Sequence, residues 1–91
     1  MAEPARQVRV TGRVQGVFFR SWTQQQAIEL GVNGWVRNCP DGSVEAHLEG
    51  DEVAMKALIQ RMHEGPPSAE VDGVEVEAVP ALGISGFRSR G

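Results

Sequence analysis

Val8-Arg9-Val10-Thr11-Gly12-Arg13-Val14-Gln15-Gly16-Val17-Phe18-Phe19-Arg20-Ser21-Trp22-Thr23 changes its hydrophobic period part-way along. Val8 and Val10 alternate with Arg9 and Thr11, the two-residue period of a strand with one buried face. The segment Gly12 to Gly16 interrupts it with two glycines, which adopt backbone angles that other residues avoid. From about Phe19 the period is helical: Phe19, Thr23, Ala27 and Leu30 share a face with Trp22 beside them, and Gly31 supplies a stop. The stretch therefore predicts a strand, a glycine loop and a helix N-terminus. At such a junction backbone N–H groups lack intrahelical acceptors and the helix dipole is positive, which suits a phosphate-like anion.

Working outward, Trp35 and Val36 lie in a short strand over Gly34–Asn38, and Cys39-Pro40-Asp41-Gly42 reads as a tight turn. Val44, Ala46 and Leu48 alternate with Glu45, His47 and Glu49, so a second hairpin arm follows. Asp51 is placed to cap a helix whose apolar stripe is Met55, Leu58, Ile59 and Met62, and Gly65-Pro66-Pro67 ends it. Val74 and Val76 alternate with Glu75 and Glu77 in another strand, and Gly86 to Ser89 offers one more edge. The order β-α-β-β-α-β is the split βαβ arrangement called ferredoxin-like, an α+β sandwich. It implies an antiparallel sheet with two helices on one face. Many unrelated activities use this architecture, so the fold leaves function open.

A chain of 91 residues makes one domain, expected over residues 8–91 with residues 1–7 as a flexible lead-in. The single cysteine, Cys39, cannot form an internal disulfide, which suits a reducing compartment and a cytoplasmic location. No apolar run is long enough to cross a bilayer, so no membrane partner is expected. A net charge of −3 provides no long-range attraction for nucleic acid, and it requires any anion site to be local. Two histidines and one cysteine form no zinc pattern, and no metal or cofactor is expected. A monomer is expected.

In the loop itself, successive amides curling around one point make an anion-binding nest. Gly16 lets the backbone approach a ligand closely, and Arg20 can add a bidentate guanidinium contact to two phosphoryl oxygens. Spacing alone equally admits a loop with an exposed arginine. Val10 to Arg20 resembles the first signature of the acylphosphatase family, and Gly34-Trp35-Val36-Arg37-Asn38, continuing through Gly42, Val44 and Gly50, resembles the second. Gly65-Pro66-Pro67-Ser68-Ala69 is similar to bacterial members, and the likeness runs from about Val8 onward.

The resemblance implies hydrolysis of acyl phosphates to a carboxylate and inorganic phosphate. It implies that Arg20 binds the phosphoryl group with the backbone of Gln15, Gly16, Val17, Phe18 and Phe19, and that Asn38 orients the attacking water. An acyl phosphate is an activated mixed anhydride, so positioning and electrostatics suffice, and neither a protein nucleophile nor a metal is required. Inorganic phosphate and sulfate are expected to compete. The alternative is a non-catalytic anion- or ligand-binding module of the same fold. An RNA-binding domain would want strand-borne stacking aromatics and a basic face, and a metal carrier would want paired cysteines.

The remaining candidates have structural readings. His47, on the polar side of its strand, is expected at the solvent or sheet surface, and His63 in the last helical turn suits the helix dipole. Trp22, Trp35 and Phe87 are expected to pack in the core or on the sheet, and Glu45, Glu49, Glu75 and Glu77 to be solvated. Cys39 follows Asn38, where vertebrate members of the family commonly carry threonine. No His–Cys spacing supports it as a nucleophile.

Overall fold

The computed structural model describes residues 5–90. Its elements are β1 (Ala5–Arg13), α1 (Phe19–Leu30), β2 (Asn33–Asn38), β3 (Val44–Glu49), α2 (Glu52–Glu64), β4 (Glu70–Val79) and β5 (Phe87–Arg90). β1 begins earlier than its apolar alternation indicates. Ala5 is fully buried and pairs with Val79, so Ala5–Gln7 belong to the sheet and not to a lead-in. The long partner strand β4 recruits these residues although only one of them is apolar. The rest of the expected lead-in, residues 1–4, lies outside the described residues.

The sheet order is β4-β1-β3-β2-β5. β1, β3, β2 and β4 pair antiparallel, as the element order implies, whereas β5 pairs parallel to β2 and makes the whole sheet mixed. The expectation of a purely antiparallel sheet thus holds for four strands and not for the fifth. The cause is the connection through residues 80–86. It crosses the end of the sheet from one edge to the other, four strand spacings or about 19 Å. Seven residues reach about 24 Å when extended, enough for this crossing, and β5 enters in the direction of β2.

Both helices pack on the sheet face that carries Val8, Val10, Val36, Val44, Ala46 and Leu48, all fully buried, α1 against β2 and β5 and α2 against β1 and β4. Phe19 and Ala27 from α1 and Met55, Leu58 and Met62 from α2 complete this core. Each large apolar side chain so buried contributes about 1.5–3 kcal/mol. The helix ends are as the sequence indicates. Gly31 closes α1 in the left-handed conformation, with its N–H bonded to the Ala27 and Ile28 carbonyls. Asp51 caps α2 by accepting from the Ala54 N–H at 3.0 Å. Gly12 sits at a β-bulge between β1 and β4 with φ 119°, where an added Cβ would lie 2.3 Å from the Glu70 carbonyl oxygen. Only glycine fits there, and the bulge turns the chain out of the sheet into the glycine loop.

Candidate active site

Residues 14–18 join β1 to α1, and two left-handed residues shape them: Gly16 at φ 73° and Phe18 at φ 62°. A Cβ on Gly16 would meet nothing within 4 Å, so the backbone conformation, not space, requires glycine there. Phe18 holds its angle at a cost of about 1–2 kcal/mol, since its Cβ crowds the following carbonyl. The loop curls at the head of α1, and its backbone hydrogen bonds show where free donors remain. The turn, loop and cap bonds of the described residues include none donated by the N–H of Gln15, Gly16, Val17, Phe18 or Phe19. Five donors are thus left at the positive end of a helix that has no acidic residue in its first turn.

These residues border a cavity of about 300 Å3 lined by Val14, Gly16, Phe18, Phe19, Arg20, Ser21, Asn38 and Ser89. The structure therefore brings Arg20 and Asn38 together with the loop although they are far apart in sequence. Asn38 is the last residue of β2 and pairs with Val44, which points its face toward the helices. Gln15 and Val17 are not among the lining residues.

Four restraints on this site and its surroundings were not visible in the sequence. Gln15 Nε2 donates to the carbonyls of Cys39 (2.7 Å) and Ser43 (2.8 Å), tying the loop to the turn just after Asn38. Cys39 takes part through its backbone, accepting this bond and donating its N–H to Ser43 at 2.8 Å. On the other side of the loop, the Ser68 hydroxyl donates to the Val17 carbonyl at 3.0 Å. Arg20 is anchored as well. Its Nη1 donates to the Arg90 carbonyl at 2.7 Å, leaving the other edge of the guanidinium open to a ligand. Gln24 fastens the same strand through the Phe87 carbonyl at 3.1 Å. A side-chain amide or a backbone carbonyl acting across 24 to 70 residues leaves no periodic or compositional signature.

The sheet face away from the helices corrects two expectations. His47 is buried, 3% exposed, because cross-strand neighbours cover it. Trp35 stacks on its ring with centroids 6.0 Å apart, and the guanidiniums of Arg37 and Arg90 lie over the Trp35 ring at 5.5 and 5.4 Å. Glu49 is buried too and binds the crossing segment: its carboxylate accepts the N–H groups of Leu82 (2.6 Å), Gly83 (3.0 Å) and Ile84 (3.1 Å), and His47 Nε2 donates to it at 2.6 Å. Gly83, at φ 78°, curls three successive N–H groups onto this one carboxylate, which supplies the acceptors that the segment itself lacks. Burial pushes the Glu49 carboxyl up, but the Leu82 N–H, the His47 ring and the N–H groups of Ile84 and Gly83 outweigh it and hold the group below 4.5. Glu45 behaves similarly, with burial opposed by hydrogen bonds from Arg37 and Gln7 and by the charges of Arg37 and Arg9. Glu75 and Glu77 are exposed as expected, His63 lies in the last turn of α2, and Phe87 is in the core.

Among the described residues no group of three His, Cys, Asp or Glu converges as a metal site, and no helix is long and apolar enough to cross a membrane. The acylphosphatase family model matches residues 6–89. An acylphosphatase of Rubrobacter xylanophilus is 55% identical over 94 residues, covering 97% of this chain and 86% of that protein. One from Anaeromyxobacter dehalogenans is 52% identical and covers 99% of each. The crystal structure of the acylphosphatase from Bacillus subtilis superimposes with a TM-score of 0.93 at 33% identity, covering 98% of this chain and all of that one. With a matching fold, an open amide loop and an arginine and asparagine sharing one cavity, the chain belongs to the acylphosphatase family.

Proposed function

We propose that the enzyme hydrolyses acyl phosphates in the cavity at the head of α1, with the phosphoryl group on the loop amides and Arg20 and the attacking water on Asn38. One observation carries the assignment: Gly16, Phe18 and Phe19, from a loop whose N–H groups find no backbone acceptor, line one cavity with Arg20 and Asn38. The amides of Gln15, Gly16, Val17, Phe18 and Phe19 supply partial positive charge, and the free edge of the Arg20 guanidinium bonds two phosphoryl oxygens. Because this array is preorganised, it stabilises the charge on the transferring group with little rearrangement.

The Asn38 carboxamide oxygen accepts from the water and holds it in line behind phosphorus. The water oxygen bonds phosphorus as the bond from phosphorus to the carboxylate oxygen breaks, and the acyl group leaves as a carboxylate. Asn38 is a weak base, so the water proton passes to a phosphoryl oxygen or to the leaving carboxylate. The cationic work falls to Arg20 and the amides, and the reaction requires neither a metal nor a cofactor. Inorganic phosphate and sulfate satisfy the same donors and compete with substrate. The protein acts as a monomer in this reading: the free β4 edge carries Glu75 and Glu77 and the free β5 edge Arg88 and Arg90, so repulsion opposes pairing of like edges between two copies. Its lone cysteine fits a reducing cytoplasm.

Mixing the purified protein with acetyl phosphate and following its disappearance tests the reading directly. Wild type should turn the substrate over. Arg20→Lys should lose on the order of 3 kcal/mol of transition-state stabilisation, roughly a hundredfold, because an ammonium cannot reproduce the planar fork. Phosphate binding without turnover in wild type would instead make the chain a non-catalytic anion-binding module. Wild-type rates in Arg20→Lys would remove Arg20 from the mechanism.

A further inference from the structure

Among the described residues Phe18 is the one position other than glycine with a positive φ, and the residue is 81% exposed. Both features are unfavourable, and no packing role offsets them. Phe18 precedes α1 without capping it through its side chain. Its ring belongs neither to the core nor to the partly buried residues around it. Glycine or asparagine would hold the same backbone with less crowding. A strained, exposed aromatic that persists at a cavity rim points toward a ligand.

That cavity is the one containing Arg20 and Asn38. Its other large apolar residues, Val14 and Phe19, are each 1% exposed, so Phe18 presents the apolar surface available to a bound molecule. The phosphoryl half of an acyl phosphate is satisfied by N–H groups and a guanidinium and gains nothing from a benzene ring. The acyl half remains. With the water between Asn38 and phosphorus, in-line geometry directs the breaking bond away from Asn38. Asn38 comes from the sheet and Phe18 from the loop, and both line the cavity, so a leaving group directed away from Asn38 has the Phe18 ring within the same cavity to pack against.

We propose that Phe18 determines specificity for the acyl group, packing against it and favouring apolar, above all aromatic, acyl phosphates over small ones. This rests on the phosphoryl group occupying the amide loop as described above. The ring touches the leaving group and takes no part in bond making.

The experiment compares kcat/KM for benzoyl phosphate and acetyl phosphate in wild type, Phe18→Asn and Phe18→Tyr. Asparagine tolerates the left-handed backbone but removes the ring, and tyrosine keeps the ring. The benzoyl-to-acetyl ratio should fall roughly tenfold in Phe18→Asn, chiefly through a higher KM for benzoyl phosphate, and should stay at the wild-type value in Phe18→Tyr. Phe18→Gly provides a second ringless variant if the asparagine protein fails to fold. An unchanged ratio in the ringless proteins overturns the proposal. So does equal loss on both substrates, the outcome of a purely conformational role, or an equal fall in the tyrosine variant. Wild type that hydrolyses neither substrate would overturn the underlying reading of the site instead.

Discussion

Asn38 and Arg20 share a cavity, and the tasks proposed for them differ, so substitution should separate them. Water alignment matters only as attack begins, so Asn38→Ala should lower kcat by at least a hundredfold while phosphate still binds. Isothermal titration with phosphate checks this; anion affinity lost as fully as in the arginine variants would deny the division of labour. Away from the site, Thr23 on α1 is fully buried and its hydroxyl has no hydrogen-bond partner. Thr23→Val removes that unpaired group at nearly constant volume and should stabilise by about 1 kcal/mol, raising Tm by roughly 4–8 °C. A lower Tm would show that the hydroxyl is satisfied in solution. Arg20 and Asn38 were legible in the sequence because they fall within two long signatures. Gln15 was legible only as part of the loop: nothing in its neighbours reveals that its side chain reaches the Cys39 and Ser43 carbonyls.

At the level of elements, α1 and its Gly31 stop, the Asp51 cap and the hairpin turn at residues 39–42 follow from local chemistry, and the structure bears them out. The parallel pairing of β5 and the burial of His47 and Glu49 depend on strands distant in sequence, which alternation within one strand does not encode. Glu49 makes that dependence measurable. Its carboxyl is held below 4.5 in the fold, so the native state binds fewer protons than the unfolded chain as the pH drops. The stability it contributes is complete above the unfolded value and is lost as the pH falls through the folded one. Wild type should therefore lose stability below about pH 4.5 more steeply than Glu49→Gln, as followed by urea midpoints at several pH values. Parallel slopes would mean that the carboxylate is not coupled to folding. Glu49→Ala, which leaves three backbone donors without an acceptor, should cost about 3 kcal/mol at neutral pH.

For the whole molecule, occupancy of the proposed anion site should be linked to stability. Phosphate that binds only the folded protein stabilises it by about 2.7 kcal/mol at a concentration a hundred times its Kd. A thermal melt in phosphate should rise by about 10 °C or more, sulfate should act likewise, and Arg20→Ala should abolish most of the shift. A rise of equal size in that variant would assign the effect to general salting rather than to the site.

The route of the chain gives the cavity a kinetic meaning as well. β1, which leads into the loop, lies between β3 and β4, so Ala5 must meet Val79 and Val10 must meet Val44 before it is secured on both sides. Arg20 likewise waits for Arg90. Such distant closures place this topology among the slower folders, on the millisecond-to-second scale. No early hairpin or isolated helix contains enough of the cavity to work. Catalytic power should therefore return on refolding with the last cooperative phase, which makes turnover a clock for completion of the sheet.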